Sequence, residues 1–119
     1  MSRDSFAVVA VLATFACVAI LLGASGASRA AGEFTDQFLN DPAVIESGKT
    51  VWNKRCKFCH GKTAYPGKAP RLDPSRYQPE FVFDRVTNGF KGMPALKSEF
   101  NEEQRRAVTA YIMSGEFSN

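Results

Sequence analysis

Apolar residues fall into four ordered stretches, separated by segments in which the order breaks down. From Phe6 to Gly23 they run almost without interruption. From Asp41 to Cys59 they recur at helical spacing, with Val44, Ile45, Gly48, Trp52 and Cys56 on one side. Asp41 can cap that helix, and Pro42 suits its first turn. Gly48 inside a helix costs about 1 kcal/mol relative to alanine, which predicts close approach of another helix; a neutral surface glycine is the alternative. Pro79 to Thr87 reads as a short helix carrying Phe81, Val82, Arg85 and Val86, and Asn88-Gly89 is a left-handed stop signal. Beyond a loop holding Met93-Pro94, Asn101 can cap a last helix with Gln104 at the capping-box position. Ala107, Val108, Tyr111 and Ile112 form its inner stripe, and Gly115 ends it. Between Gly61 and Gln78, by contrast, Gly61, Pro66, Gly67, Pro70 and Pro74 break any period.

The first apolar run has the three-part form of a secretory leader. Arg3 precedes it, and the small residues Ala24-Ser25-Gly26-Ala27-Ser28-Arg29-Ala30-Ala31 follow. The small-x-small pattern favours cleavage after Ala30. The run is also about as long as the shortest membrane-spanning helices, roughly 17 residues, so an uncleaved anchor stays open. Cys17 lies mid-run without the leucine expected ahead of a lipoprotein cysteine and reads as a small apolar residue of the leader. The expected division is therefore 1–30 as leader, 31–40 as an N-terminal extension, and 41–119 as one domain. No internal repeat or low-complexity tract interrupts it.

Within that domain Cys56-Lys57-Phe58-Cys59-His60 carries the chemistry. Two thiols three residues apart, followed at once by histidine, form the attachment pentapeptide for c-type haem. On a helical turn the sulfurs line up with the two porphyrin vinyl groups, and the imidazole projects onto the iron from the proximal face. His60 is the sole histidine of the chain. A structural zinc site needs four ligands, whereas the chain has three cysteines, one of them in the leader. A thioredoxin-type motif should follow a strand, and the residues before Cys56 read as helix. A disulfide between Cys56 and Cys59 is the remaining alternative. A domain of this size buries only about 60–65% of its unfolded surface. A large, mostly apolar porphyrin would complete its core and account for the long loop from Gly61 to Gln78.

The order of these features resembles the class I cytochromes c, over about Asp41 to Gly115. In that family a glycine and an aromatic stand eight and four residues before the first haem cysteine, where the first helix crosses the last. Gly48 and Trp52 match them, and Tyr111 matches the aromatic of the last helix. Ala69-Pro70-Arg71-Leu72 looks like the haem-proximal proline segment, and Val82, Val86, Gly89, Met93 and Pro94 match the approach to the distal ligand. The resemblance implies an all-α cytochrome c fold, with three to four short helices wrapped around one covalent haem. Cys56 and Cys59 would form the thioethers, with His60 and Met93 as axial ligands. Pro70, Arg71 and Tyr77 are candidates for further haem contacts. Met93 lies only 33 positions beyond His60, fewer than in many members, which suggests a trimmed loop around the propionates. Met113, in the last turn of a helix, is explained by packing.

His/Met ligation raises the haem potential and leaves no open axial site. It predicts a one-electron carrier that performs no bond chemistry of its own, the protein supplying binding, orientation and electrostatics. After the leader, 13 Lys and Arg face 11 Asp and Glu, so net charge says little. Distribution says more: Lys49, Lys54, Arg55, Lys57, Lys62, Lys68, Arg71 and Arg76 cluster around the motif, with Asp73 the sole acid among them. Such a patch can steer an acidic redox partner to the haem edge; a solvated face with one or two propionate partners is the alternative. Nucleic-acid binding has no separate support. The expected protein is a periplasmic carrier, monomeric when free, moving electrons from a periplasmic dehydrogenase to an oxidase or other acceptor. It would touch a membrane only through an uncleaved leader. A haem subunit held tightly in a larger oxidoreductase is the second reading, and a gas-binding or peroxidatic haem protein, which needs an open axial site, the third.

Overall fold

The computed structural model describes residues 34–61 and 67–118. The leader and Lys62 lie outside these residues. The packed unit runs from Gly32 to Asn119. Among the described residues there are helices and one isolated bridge between Phe90 and Met93, but no strand. No described helix is long and apolar enough to cross a membrane.

Helix α1 (Asp36–Leu39) is a single capped turn, with the Thr35 hydroxyl accepting from the Phe38 N–H. Helix α2 (Pro42–Val51) starts as its sequence requires: the Asp41 carboxylate accepts from the Ala43 N–H at 2.8 Å, and Pro42 occupies the first turn. The helix expected to continue to Cys59 instead widens into a π turn over Trp52–Cys56, then resumes as α3 (Lys57–His60). A π turn takes up one extra residue and is frequent at functional sites. Here it directly precedes the second thiol and the histidine, which periodicity alone did not signal. Helix α4 (Pro79–Asn88) ends at Gly89, whose φ of 72° suits glycine and whose N–H reaches the Arg85 carbonyl at 2.8 Å. Helix α5 (Glu102–Ser114) carries the full capping box. The Gln104 N–H donates to Asn101 Oδ1 at 2.9 Å, and the Asn101 N–H donates to Gln104 Oε1 at 3.1 Å.

Helices α2 and α5 form the principal contact, and Gly48 is where they meet. A Cβ built there would lie 2.6 Å from the Ala107 carbonyl carbon and 2.8 Å from Tyr111 Cβ. The close approach predicted for this glycine is present. Trp52, fully buried, stacks on Phe117 at 5.1 Å and lies 5.9 Å from the Tyr111 ring. Val82 and Val86 of α4 join the same core, as do Leu96, Phe100, Val108 and Ile112.

Two flanking segments pack more closely than the sequence suggested. Phe34, in the stretch read as an extension, is buried against Phe83 and Phe38 at ring separations of 5.6 and 6.1 Å. The Arg106 guanidinium lies 4.7 Å from its ring, which ties the start of the domain to α5. Beyond Gly115 a 3₁₀ turn (Glu116–Ser118) brings Phe117 under Trp52.

Candidate haem site

The proximal side is built by the π turn and α3. Gly61 ends α3 with φ 75°, its N–H donating to the Lys57 carbonyl. The chain then returns over the motif: the Ala69 N–H donates to the Cys59 carbonyl at 2.7 Å. A Cβ on Gly67 would meet the Gly61 nitrogen and the His60 carbonyl carbon at 2.7 Å. Only a residue without a side chain fits so close to the histidine backbone.

No disulfide joins Cys56 and Cys59. Cys56 is buried and Cys59 exposed. Burial, with the nearby Glu99 carboxylate adding to it, pushes the Cys56 thiol up to about 12. His60 is half-buried, with its ring 6.0 Å from that of Trp52. Burial draws its pKa below the ordinary histidine value, while the Pro70 backbone works in the opposite direction. Burial thus favours the neutral imidazole, the form that ligates a metal. Its Nδ1 is buried without a hydrogen-bond partner. The Pro70 backbone lies close to the ring but outside hydrogen-bond geometry. A hydrogen bond from one ring nitrogen to a carbonyl is the usual device for directing the other at a metal, and a small turn of the ring would bring Nδ1 to Pro70.

Met93 sits in a closed turn after α4. The Phe90 N–H donates to the Met93 carbonyl at 3.0 Å, and the Met93 N–H to the Phe90 carbonyl at 2.9 Å. Lys91 takes the left-handed conformation that the turn needs, at φ 51°. The turn is moored to α4 by the Leu96 N–H, which donates to the Val86 carbonyl at 3.1 Å. Met93, Leu72 and Tyr77 are half-buried, packed on the rim of the same cluster that contains Trp52 and Cys56. The Tyr77 ring also stacks on Phe81 at 5.7 Å. Arg71 is exposed and acts with Arg76 on the Asp73 carboxylate. Met113 is half-buried at the end of α5 against the core, as a packing residue would be. The donors of a c-type haem site and an incompletely covered apolar rim thus occur together, and the residues present fit a covalent haem.

Much of the basic cluster is engaged locally. Lys49 pairs with Glu46 and Arg55 with Glu99, each at 3.3 Å. The Lys54 ammonium lies 5.5 Å from the Phe100 ring and that of Lys57 5.9 Å from Phe58. Among the described residues, three large apolar side chains stay exposed, namely Phe58, Phe81 and Phe90. The Arg85 guanidinium lies between the last two, 4.7 and 4.5 Å from their rings.

Residues 43–112 match the family model described as cytochrome C oxidase, cbb3-type, subunit III. The chain belongs to the cytochrome c family. It carries covalently bound haem c and is an electron-transfer protein, in a family whose members are generally carriers rather than enzymes. Its relatives include the cytochrome c subunit of the 4-cresol dehydrogenase (hydroxylating) of Pseudomonas putida, 32% identical over 69 residues. That alignment takes in 57% of this chain, which spans 59% of the relative's length. Cytochrome c6 of a Nostoc species is 30% identical over 89 residues, covering 67% of this chain and 80% of that one. Among solved structures, cytochrome cL of Methylophaga aminisulfidivorans superposes with a TM-score of 0.56 at 20% identity, over 70% of this chain and 67% of that one. A dihydro-haem d1 dehydrogenase does so with a TM-score of 0.53 at 24% identity, over 56% of this chain and 16% of that one. At those identities the structures establish the all-α cytochrome c fold alone.

Proposed function

We propose that this cytochrome is a periplasmic one-electron carrier, its haem attached through Cys56 and Cys59 and ligated by His60 and Met93. The observation that carries the reading is the setting of His60: half-buried, with its ring 6.0 Å from that of Trp52 and its buried Nδ1 without a hydrogen-bond partner. Bound haem c supplies a one-electron iron couple. The chain's own part is to hold the imidazole in one orientation, to keep the Met93 turn closed, and to exclude water with Trp52, Leu72 and Tyr77. Pro70 acts on the imidazole through its backbone, while Arg71 and Tyr77 remain candidates for the propionates. In this reading residues 1–30 are the export leader and 41–119 the haem domain, with Phe34 fastening the intervening segment.

The exposed aromatics Phe58, Phe81 and Phe90 favour a second reading, in which the protein serves as the electron-transfer subunit of a dehydrogenase. The relative named as a cytochrome subunit of 4-cresol dehydrogenase supports it. Both readings require the same site.

Met93→Ala tests it. The haem should stay covalently bound, the sulfur-to-iron charge-transfer band of the oxidised protein should vanish, and carbon monoxide should bind on reduction. Loss of the band in Met113→Ala with its survival in Met93→Ala would assign the ligand to the other methionine. Haem that extracts from wild-type protein into acidified organic solvent would remove Cys56 and Cys59 from the site.

A further inference from the structure

Between the Met93 turn and α5 the chain must cross from the distal side to the start of the last helix, and this crossing segment is fastened to the proximal side. Leu96 and Phe100 are buried, and the Glu99 and Phe100 N–H groups both donate to the Leu96 carbonyl, at 3.1 and 3.0 Å. That tight turn presents Glu99 and Phe100 to the π turn ahead of the haem motif. There Arg55 Nε meets Glu99 Oε2 at 3.3 Å, and the adjacent Lys54 ammonium lies 5.5 Å from the Phe100 ring. Two consecutive side chains of one segment thus hold two consecutive side chains of the other. Neither pair is confined to a single helix, unlike the Lys49–Glu46 pair of α2. Each bridges segments more than 40 positions apart in sequence, so each closes a chain loop that contains both His60 and Met93.

We propose that Arg55–Glu99 and Lys54–Phe100 form a clasp that positions the distal ligand, by holding the segment after Met93 against the segment before Cys56. The proposal rests on the reading of Met93 as the distal ligand. The clasp touches neither the iron nor the porphyrin; it acts through the loop. Loops that carry a displaceable ligand open at a smaller free-energy cost than global unfolding. A contact too weak to alter the whole fold much can therefore still change how often such a loop opens. Exposed ion pairs contribute in that small range, and the two partners here are half-exposed. The clasp also commits Lys54 and Arg55 internally, which removes two of the cations counted toward a docking patch.

The probe is imidazole, a neutral ligand that enters at the iron of the oxidised holoprotein only when the distal loop has released it. Its binding is followed by loss of the charge-transfer band, and helix unfolding of each variant is followed separately in the far ultraviolet. Arg55→Gln and Glu99→Gln should each tighten apparent imidazole binding about two- to five-fold, the range an exposed ion pair supplies. The double variant should do no more than the stronger single one, because the two remove the same contact. The charge-exchanged pair Arg55→Glu with Glu99→Arg should return binding toward wild type, and Lys49→Gln should leave it unchanged. Single variants that bind imidazole no better than Lys49→Gln would overturn the proposal, as would additive effects in the double variant. Failure of the underlying ligand assignment has a different signature: Met93→Ala would then keep the band.

Discussion

Gly48→Val offers the sharpest test of the architecture, because Gly48 marks the crossing of α2 and α5. Even one methyl group there would stand 2.6 Å from the Ala107 carbonyl carbon and 2.8 Å from Tyr111 Cβ, where ordinary contact begins at 3.4 Å. The nearest obstacle is backbone, so no rotamer change relieves it and the helices must separate by roughly half an ångström or more. A gap of that size forfeits a quarter or more of the dispersion energy of each contact along the seam, which includes the Trp52–Tyr111 pair. Overpacking of this kind costs about 1–3 kcal/mol, and replacing glycine within a helix returns up to about 1 kcal/mol. Valine, with two further methyl groups, belongs near the top of the range, so the expected net loss is about 2 kcal/mol. In a domain this small that lowers the melting temperature by roughly 8–16 °C. The assay is thermal and urea unfolding of the holoprotein, followed in the far ultraviolet and by haem absorbance. Gly92→Ala is the control, since a Cβ there meets nothing within 4 Å. If Gly48→Val melts with the control, the two helices do not cross at Gly48 and the packing argument is wrong.

Two further predictions concern the periphery. Phe34→Ala should destabilise the domain by about 2 kcal/mol, less than the 3–5 kcal/mol typical of a central phenylalanine because the ring lies at the edge of the unit; unchanged urea unfolding would mean that the segment before Asp41 does not pack. Asp73 has its carboxyl pKa held below the ordinary value, first by the Ser75 hydroxyl at 2.6 Å and further by Arg76 and Arg71. A carboxylate with a depressed folded pKa contributes stability above its unfolded pKa and loses it as pH falls through the folded one. Ser75→Ala should move the Asp73 midpoint up toward the ordinary carboxylate range in a carboxyl-carbon NMR titration; an unmoved midpoint would show that the hydroxyl is not the cause.

The local elements of this protein were legible in its residues because their causes are local. A cap bonds an N–H two or three residues away, so Asp41, Asn101 and Gln104 mark helix starts wherever the rest of the chain goes. The attachment pentapeptide likewise needs only its own spacing, and Gly48 announced a crossing because a helix interior gives glycine no other advantage. What the residues could not show was set by distant partners. The π turn at Trp52–Cys56 departs from the expected continuous helix where Trp52 is seated on Phe117, more than 60 positions away. The single turn at Asp36–Leu39 is too short to hold alone, and it stands where Phe34 finds Phe83 and Arg106. The clustered cations read as one patch along the chain. The fold divides them, because Glu99 and Phe100 are carried back beside Arg55 and Lys54 by a loop whose path depends on where α4 and α5 dock. The capped helix starts and the haem motif follow from neighbours in sequence. The clasp, the strap at Phe34 and the surroundings of His60 follow from loop closure, which sequence order leaves free and the packed core decides.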